Sequence, residues 1–183
     1  VVGAHYDHLG WGGKGSGSRR PDTTAIHNGA DDNASGVAAV LEIAEKLALG
    51  KLAPKRSVLF MAFGAEEMGL LGSKFFTKNP LIDKSHIKQM FNLDMVGRLN
   101  PSKPSLTVGG TGTGLGMEAF LLDHAIDRDF QLSTTPDGYG PSDHAAFYVE
   151  DVPVLFFFTG ITEEYHTPQD DLETINISGE KAI

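Results

Sequence analysis

Six side chains able to bind metals or move protons lie in five separate segments of this sequence: His5, Asp32, the pair Glu66-Glu67, Asp94 and His166. Asp31 and Asp32 stand together in Asn28-Gly-Ala-Asp-Asp-Asn-Ala-Ser-Gly36, just before an apolar-striped stretch. Alone, such a pair reads as an acidic helix N-cap, which the helix dipole favours. Two adjacent carboxylates nevertheless repel unless a cation shares them. His5-Tyr6-Asp7-His8 places two imidazoles and an acid within four residues. The plain alternative there is a surface loop or a satisfied core histidine. Asp7, close behind His5, suits a carboxylate that orients a ligating imidazole. Asp94 sits among apolar neighbours, where a lone acid is costly unless it is metal-bound or paired, for instance with Arg98 or Lys103.

The chain has no cysteine, so thiolate ligands and disulfides are excluded. Oxygen and imidazole donors suit zinc, and less specifically manganese or cobalt. Two such ions about 3.5–4 Å apart can share one carboxylate and one water. Of the six groups, one then bridges, one takes the water's proton and four are terminal ligands. Each ion keeps two private ligands and one shared one.

These groups need a scaffold that brings five segments to one place. At 183 residues, 40% hydrophobic and 21% charged, the chain has the size and composition of one globular domain with a sizeable core. No apolar run reaches membrane-spanning length. The net charge of −9 argues against nucleic-acid and anionic-membrane partners. The chain opens on Val1-Val2-Gly3-Ala4, already strand-like and without Met, and is expected to be a mature or trimmed piece.

Strands are expected at Val1–Ala4, Ser57–Phe63, Met90–Met95, Ser105–Val108, Gln131–Thr135 (an edge) and Val152–Phe158. Helices are expected at Ser35–Leu49, capped by Asn33 or Ser35, then about Leu70–Thr77, Leu115–Arg128, Ser142–Val149 capped by Ser142, and from Asp170 onward. Gly10–Gly17 holds five glycines in eight residues. Its Gly10-x-Gly12-x-x-Gly15 spelling is accidental, because a polar, proline-containing stretch follows instead of a helix. Alternating strands and helices imply a three-layer α/β sandwich with a mixed, mostly parallel sheet. In such sheets sites form beyond the carboxyl ends of strands, and all six groups lie at such ends or in the loops that follow.

The motifs resemble a known family. His5-x-Asp7, Gly29-Ala-Asp-Asp32-Asn-Ala-Ser-Gly36, Arg56 to Ser73 with Gly64-Ala-Glu66-Glu67, Asn92-Leu-Asp94-Met and His166-Thr-x-Gln-Asp170 occur in order. Together they are similar to the bacterial leucyl aminopeptidase and aminopeptidase Y family of co-catalytic zinc exopeptidases. The resemblance implies two Zn2+ per chain, with Asp32 bridging them. Glu67 and His166 complete one position, and His5 and Asp94 the other. It makes Glu66 the general base, Asp7 the residue behind His5, and Tyr139 the hydrogen-bond donor to the tetrahedral intermediate. It implies peptide substrates with a free N-terminus and a secreted or periplasmic location. Met95, Phe158, Ile161 and Tyr165 are expected to line a pocket for a hydrophobic first residue. His144 is expected to be structural, and His8 and His27 bystanders.

Family members usually carry strands before the one bearing His5, so residues 1–183 are expected to form a single catalytic domain lacking N-terminal strands and the C-terminal end. Two other readings share the fold: a single-zinc glutaminyl cyclase, and an inactive peptidase domain used for binding. An inserted lid domain is not expected, because the 72 residues from Asp94 to His166 are filled by sheet and helix elements.

Overall fold

The computed structural model describes residues 1–50 and 54–183. Six strands form one sheet: β1 (Val2–His5), β2 (Phe60–Phe63), β3 (Met90–Leu93), β4 (Ser105–Gly109), β5 (Gln131–Thr135) and β6 (Val154–Phe158). Their order is β2-β1-β3-β6-β4-β5. All neighbours run parallel except β4, which is antiparallel to β6. The expected mixed, mostly parallel sheet is therefore present, with β5 at an edge. β1, β2, β3 and β6 point the same way, so their carboxyl ends share one rim.

Helices cover both faces, as the near-continuous apolar runs of the central strands β1, β3 and β6 require. On one face α1 (Gly36–Leu49) and α3 (Met117–Ala125) pack over the sheet. Val40 meets Val2, Ala4, Leu93 and Val96, while Met117 and Leu121 meet Leu106, Val108 and Leu155. On the other face lie α2 (Leu71–Lys78) and α4 (His144–Tyr148). There Phe76 and Phe147 join Phe63, Met90 and Val154. Full burial of a side chain of this size is worth about 1.5–3 kcal/mol, so this apolar sandwich holds the rim in place. Among the described residues no helix is long and apolar enough to cross a membrane.

Several elements are shorter than the sequence pattern predicts. β2 begins at Phe60, not Ser57, and β3 ends at Leu93, so Asp94 stands just past the strand. α3 loses its first and last residues. α4 starts at His144 without a side-chain cap, because the Ser142 hydroxyl is taken by Asn92. The helix expected from Asp170 is instead a 3-10 turn, Leu172–Thr174, followed by α5 (Ile177–Glu180). Two contacts of Asn176 explain the break: its N–H donates to the Gly97 carbonyl, and its side-chain Oδ1 accepts from the Gly179 N–H, restarting the helix there.

Candidate metal centre

The chain enters the rim at β1, whose last residue, His5, is buried. Its Nε2 lies 3.2 Å from Asp32 Oδ1 and 3.5 Å from Asp94 Oδ1. Nε2 of His166 lies 3.1 Å from the other Asp32 oxygen, Oδ2, and 3.2 Å from Glu67 Oε2. One carboxylate thus faces two imidazoles, and each imidazole has a private carboxylate as well. Two donors on one tetrahedral zinc, each about 2.0–2.2 Å from it, stand roughly 3.3–3.6 Å apart. The observed donor separations have that size, so the donor set fits two small divalent cations sharing Asp32. His5, Glu66 and Asp94 also converge as one group of potential ligands, and His8, Asp32 and Glu67 as another.

The electrostatics agree with a place for positive charge. Burial disfavours a charged His5, yet Asp32 and Asp94 outweigh it and hold the ring's pKa up at about 12. His166 is likewise opposed by burial and held up at about 10 by Asp32 and Glu67. The same contacts pull Asp32 and Glu67 down against their own burial. In this cluster the protonated rings supply the charge that cations would supply. Glu66 is different. Burial, opposed by His5 and reinforced by Asp94, Asp143 and Glu67, pushes its carboxyl up to about 8. It is the acid of the group that holds its proton, the property required of a general acid–base.

Three hydrogen-bonded braces set these positions. First, the Asp32 loop and the Asp94 loop are stapled together. The N–H groups of Met95, Val96 and Gly97 donate to Asn33 Oδ1, Ser35 Oγ and Asp31 Oδ1 at 2.8–3.1 Å. Asn33 Oδ1 also accepts the Gly36 N–H and thereby caps α1, as expected of one of the two candidate caps. Gly29 makes the loop possible: its φ is +62°, and a Cβ there would lie 2.3 Å from the Asp32 carbonyl oxygen. Second, Asp7 braces the Glu66–Glu67 turn, and here the expected role is corrected. His5 Nδ1 pairs with the Asp7 main-chain carbonyl at 3.1 Å. The Asp7 carboxylate stands 3.9 Å back and accepts the N–H groups of Glu66 and Glu67. Two residues of separation bring the carbonyl, not the longer side chain, to the ring. Third, the glycine-rich loop reaches His166: Gly17 O lies 3.0 Å from His166 Nδ1, and the Arg19 N–H donates to His166 O.

Backbone strain gathers at the same places. Ala65, Met95 and His166 have φ of +56°, +53° and +56°. Such conformations cost of order 1–3 kcal/mol each and persist where surrounding contacts over-determine them.

Sequence reasoning missed two of the contributors. His8 is not a bystander: its Nδ1 is 2.8 Å from Glu67 Oε1, and its buried Nε2 has no partner. The motif displayed His8, but only the fold brings it to Glu67. The Gly17 carbonyl left no signal at all, since any residue supplies one. The His27 ring pairs with the Ala25 carbonyl and the Ser18 hydroxyl and lies 6.4 Å from the His8 ring, and His144 stacks on Phe156 at 4.3 Å as a packing residue. Of the expected pocket, Tyr165 stacks on His166 at 3.8 Å and Phe158 is half-buried. Ile161 is 65% exposed, and Met95, at 3%, offers almost no surface to a ligand. Tyr139 is also 65% exposed, its ring set edge-on against Tyr148.

A mostly parallel sheet whose rim gathers one aspartate between two imidazoles, each with a further carboxylate, and a proton-holding glutamate defines a metallohydrolase class of site. Peptidase family M28 matches residues 1–183, and the chain belongs to that family. Leupeptin-inactivating enzyme 1 of Streptomyces exfoliatus is 34% identical over 149 residues, covering 76% of this chain and 31% of that protein. Aminopeptidase YwaD of Bacillus subtilis is 34% identical over 168 residues, 85% of this chain and 35% of that one. The structure of a zinc aminopeptidase from Bacillus subtilis superposes with a TM-score of 0.74 at 27% identity, covering 98% of this chain and 42% of that chain. Porphyromonas gingivalis glutaminyl cyclase and the γ-secretase component nicastrin, at 20% and 18% identity, share the fold alone. The chain spans about a third of the length of the curated relatives it matches.

Proposed function

We propose that this chain carries the catalytic centre of a two-zinc aminopeptidase that removes the N-terminal residue of peptides. The observation that carries the reading is Asp32, whose two oxygens each face a different imidazole with its own carboxylate partner. His5, Asp94 and Asp32 would hold one ion, and His166, Glu67 and Asp32 the other. The aminopeptidase and zinc aminopeptidase relatives support zinc and the aminopeptidase activity, and the geometry around Asp32 supports the pair of ions.

When bound, the zinc pair acidifies a water and polarises the scissile carbonyl. The chain's own groups do the rest. Glu66 takes the proton from the attacking water and delivers it to the departing amine, a transfer suited to a carboxyl that burial holds near neutrality. Asp7 keeps Glu66 aimed by holding the turn's N–H groups. The carboxylates around the site, Asp94 among them, draw in the positively charged α-amino group, which fixes the scissile bond at a set distance from that anchor. A tyrosine donates to the developing oxyanion. The motif resemblance gives this role to Tyr139, and the Tyr165 ring, stacked on His166, borders the same site. A secreted or periplasmic location is proposed with the activity, on the strength of the motif resemblance.

The test is a panel of leucyl-, lysyl-, glutamyl- and N-acetyl-leucyl-nitroanilides, each with and without chelator. Chelator-sensitive cleavage of the leucyl compound, with no turnover of the acetylated one, is expected. Efficient cleavage of the acetylated compound would overturn the aminopeptidase reading in favour of an endopeptidase or deacylase.

A further inference from the structure

Arg98 follows Asp94 by four residues, and its buried guanidinium binds two carboxylates that flank His166 and stands near a third, Asp31, in the Asp32 loop. Its Nη2 donates to Asp170 Oδ1 at 2.7 Å, its Nη1 donates to Glu164 Oε2 at 2.8 Å, and its Nε stands 3.9 Å from Asp31 Oδ2. The hydroxyls of Thr162 and Thr174 accept from it too. Asp31 and Asp170 are each 0% exposed, so neither carboxyl has water as an alternative partner.

Both acids are also tied to metal-ligand backbone. Asp170 accepts the N–H groups of Asp31 and Asp32, at 2.9 and 3.1 Å, and it lies in the segment that leaves His166. Thr162 and Glu164 lie in the segment that enters His166. Arg98 therefore clasps the His166 loop on both sides and fastens it to the Asp32 loop. The Asp94 side depends less on this clasp, because the N–H groups of Met95 and Val96 are held by Asn33 and Ser35, which Arg98 does not touch.

We propose that Arg98 is a positioning residue that fixes the His166 segment against the Asp32 loop, and so builds chiefly the metal position that His166 completes with Glu67 and Asp32, while the His5–Asp94 position, which shares only Asp32, is affected far less. A planar, five-donor fork is what such a clasp needs, and lysine, which keeps the charge without the fork, reproduces it only in part. The inference rests on the two-ion reading of the site.

The test is a zinc titration of chelator-stripped protein in competition with a chromophoric chelator, which yields a constant for each ion. Arg98→Met should weaken one zinc at least tenfold and leave the other within about threefold. The Arg98→Met/His166→Ala double variant should bind no more weakly than His166→Ala alone, because both changes strike the same position. Arg98→Lys should fall between the parent and Arg98→Met. Equal weakening of both ions, no weakening of either, or a lysine variant no better than methionine would overturn the proposal. Should Arg98→Met fail to fold, Thr162→Val/Glu164→Gln removes only the loop-side partners. It should weaken the same ion by a smaller factor, and unchanged binding there would equally overturn the proposal. A parent protein that binds a single zinc would instead overturn the two-ion reading itself, and this inference with it.

Discussion

Glu66 and Glu67 are adjacent in sequence and alike in chemistry, yet the fold separates their tasks. Glu67 turns one oxygen to His166 and the other to His8, and these contacts hold its pKa down. Glu66 has no such partner, and burial pushes it up to about 8. Glu66→Gln should therefore cut kcat by roughly 10²–10⁴ while both zinc ions stay bound. Loss of an ion, or near-parental turnover, would show that Glu66 is a ligand or a spectator. Most of this division was legible in the sequence, because a turn that needs one ligating carboxylate carries two. His8 was not, since its partner lies 59 residues away and no local spacing encodes that contact. Asp7 was legible as the neighbour of His5, but the atom that does the orienting was not, because carbonyl and carboxylate are indistinguishable until the backbone turn is known.

At the scale of elements, the site depends on loops that hold each other. Asn33 is the clearest joint. Its Oδ1 accepts from Gly36 and Met95 and its Nδ2 donates to Leu93 O, all buried. Asn33→Ala would strand these backbone groups, each worth about 1–3 kcal/mol when left unpaired, so a loss on the order of 3 kcal/mol is expected. Urea unfolding should show a lower midpoint with an unchanged m-value. A shift under about 1 kcal/mol would mean that the two loops are held by something else. Strand and helix positions followed from apolar periodicity, and the carboxyl-end rule led from them to the rim. The ends of the elements did not follow. β3 stops before Asp94 and the last helix breaks into a 3-10 turn and α5, because long-range partners such as Asn176 to Gly97 decide where backbone groups are satisfied.

At the scale of the whole molecule, the cluster makes folding depend on protons when metal is absent. His5 and His166 carry pKa values raised from 6.5 to about 12 and about 10. Their pairing contributes in full below pH 6.5, where the rings are protonated in folded and unfolded chains alike. Above pH 6.5 only the folded chain keeps those protons, so stability falls as pH rises toward 10. Glu66, raised from 4.5 to about 8, adds a loss in the same direction between those values. Asp32 and Glu67 are lowered, so their contribution is present above about pH 4–4.5 and lost as pH falls further. The metal-free protein should therefore melt highest near pH 5–6 and at a clearly lower temperature by pH 9. Zinc should add more to Tm at pH 8 than at pH 6, because it replaces protons. A metal-free melting temperature that rises steadily from pH 6 to 9 would contradict the assigned charges. All of this converges on Asp32, so the decisive measurement is zinc bound per chain in the parent, His5→Ala and Asp32→Ala proteins, prepared and dialysed side by side. The account predicts two ions in the parent, about one in His5→Ala and none retained tightly in Asp32→Ala. A parent with one ion, or an Asp32→Ala protein that keeps as much zinc as His5→Ala, would contradict it.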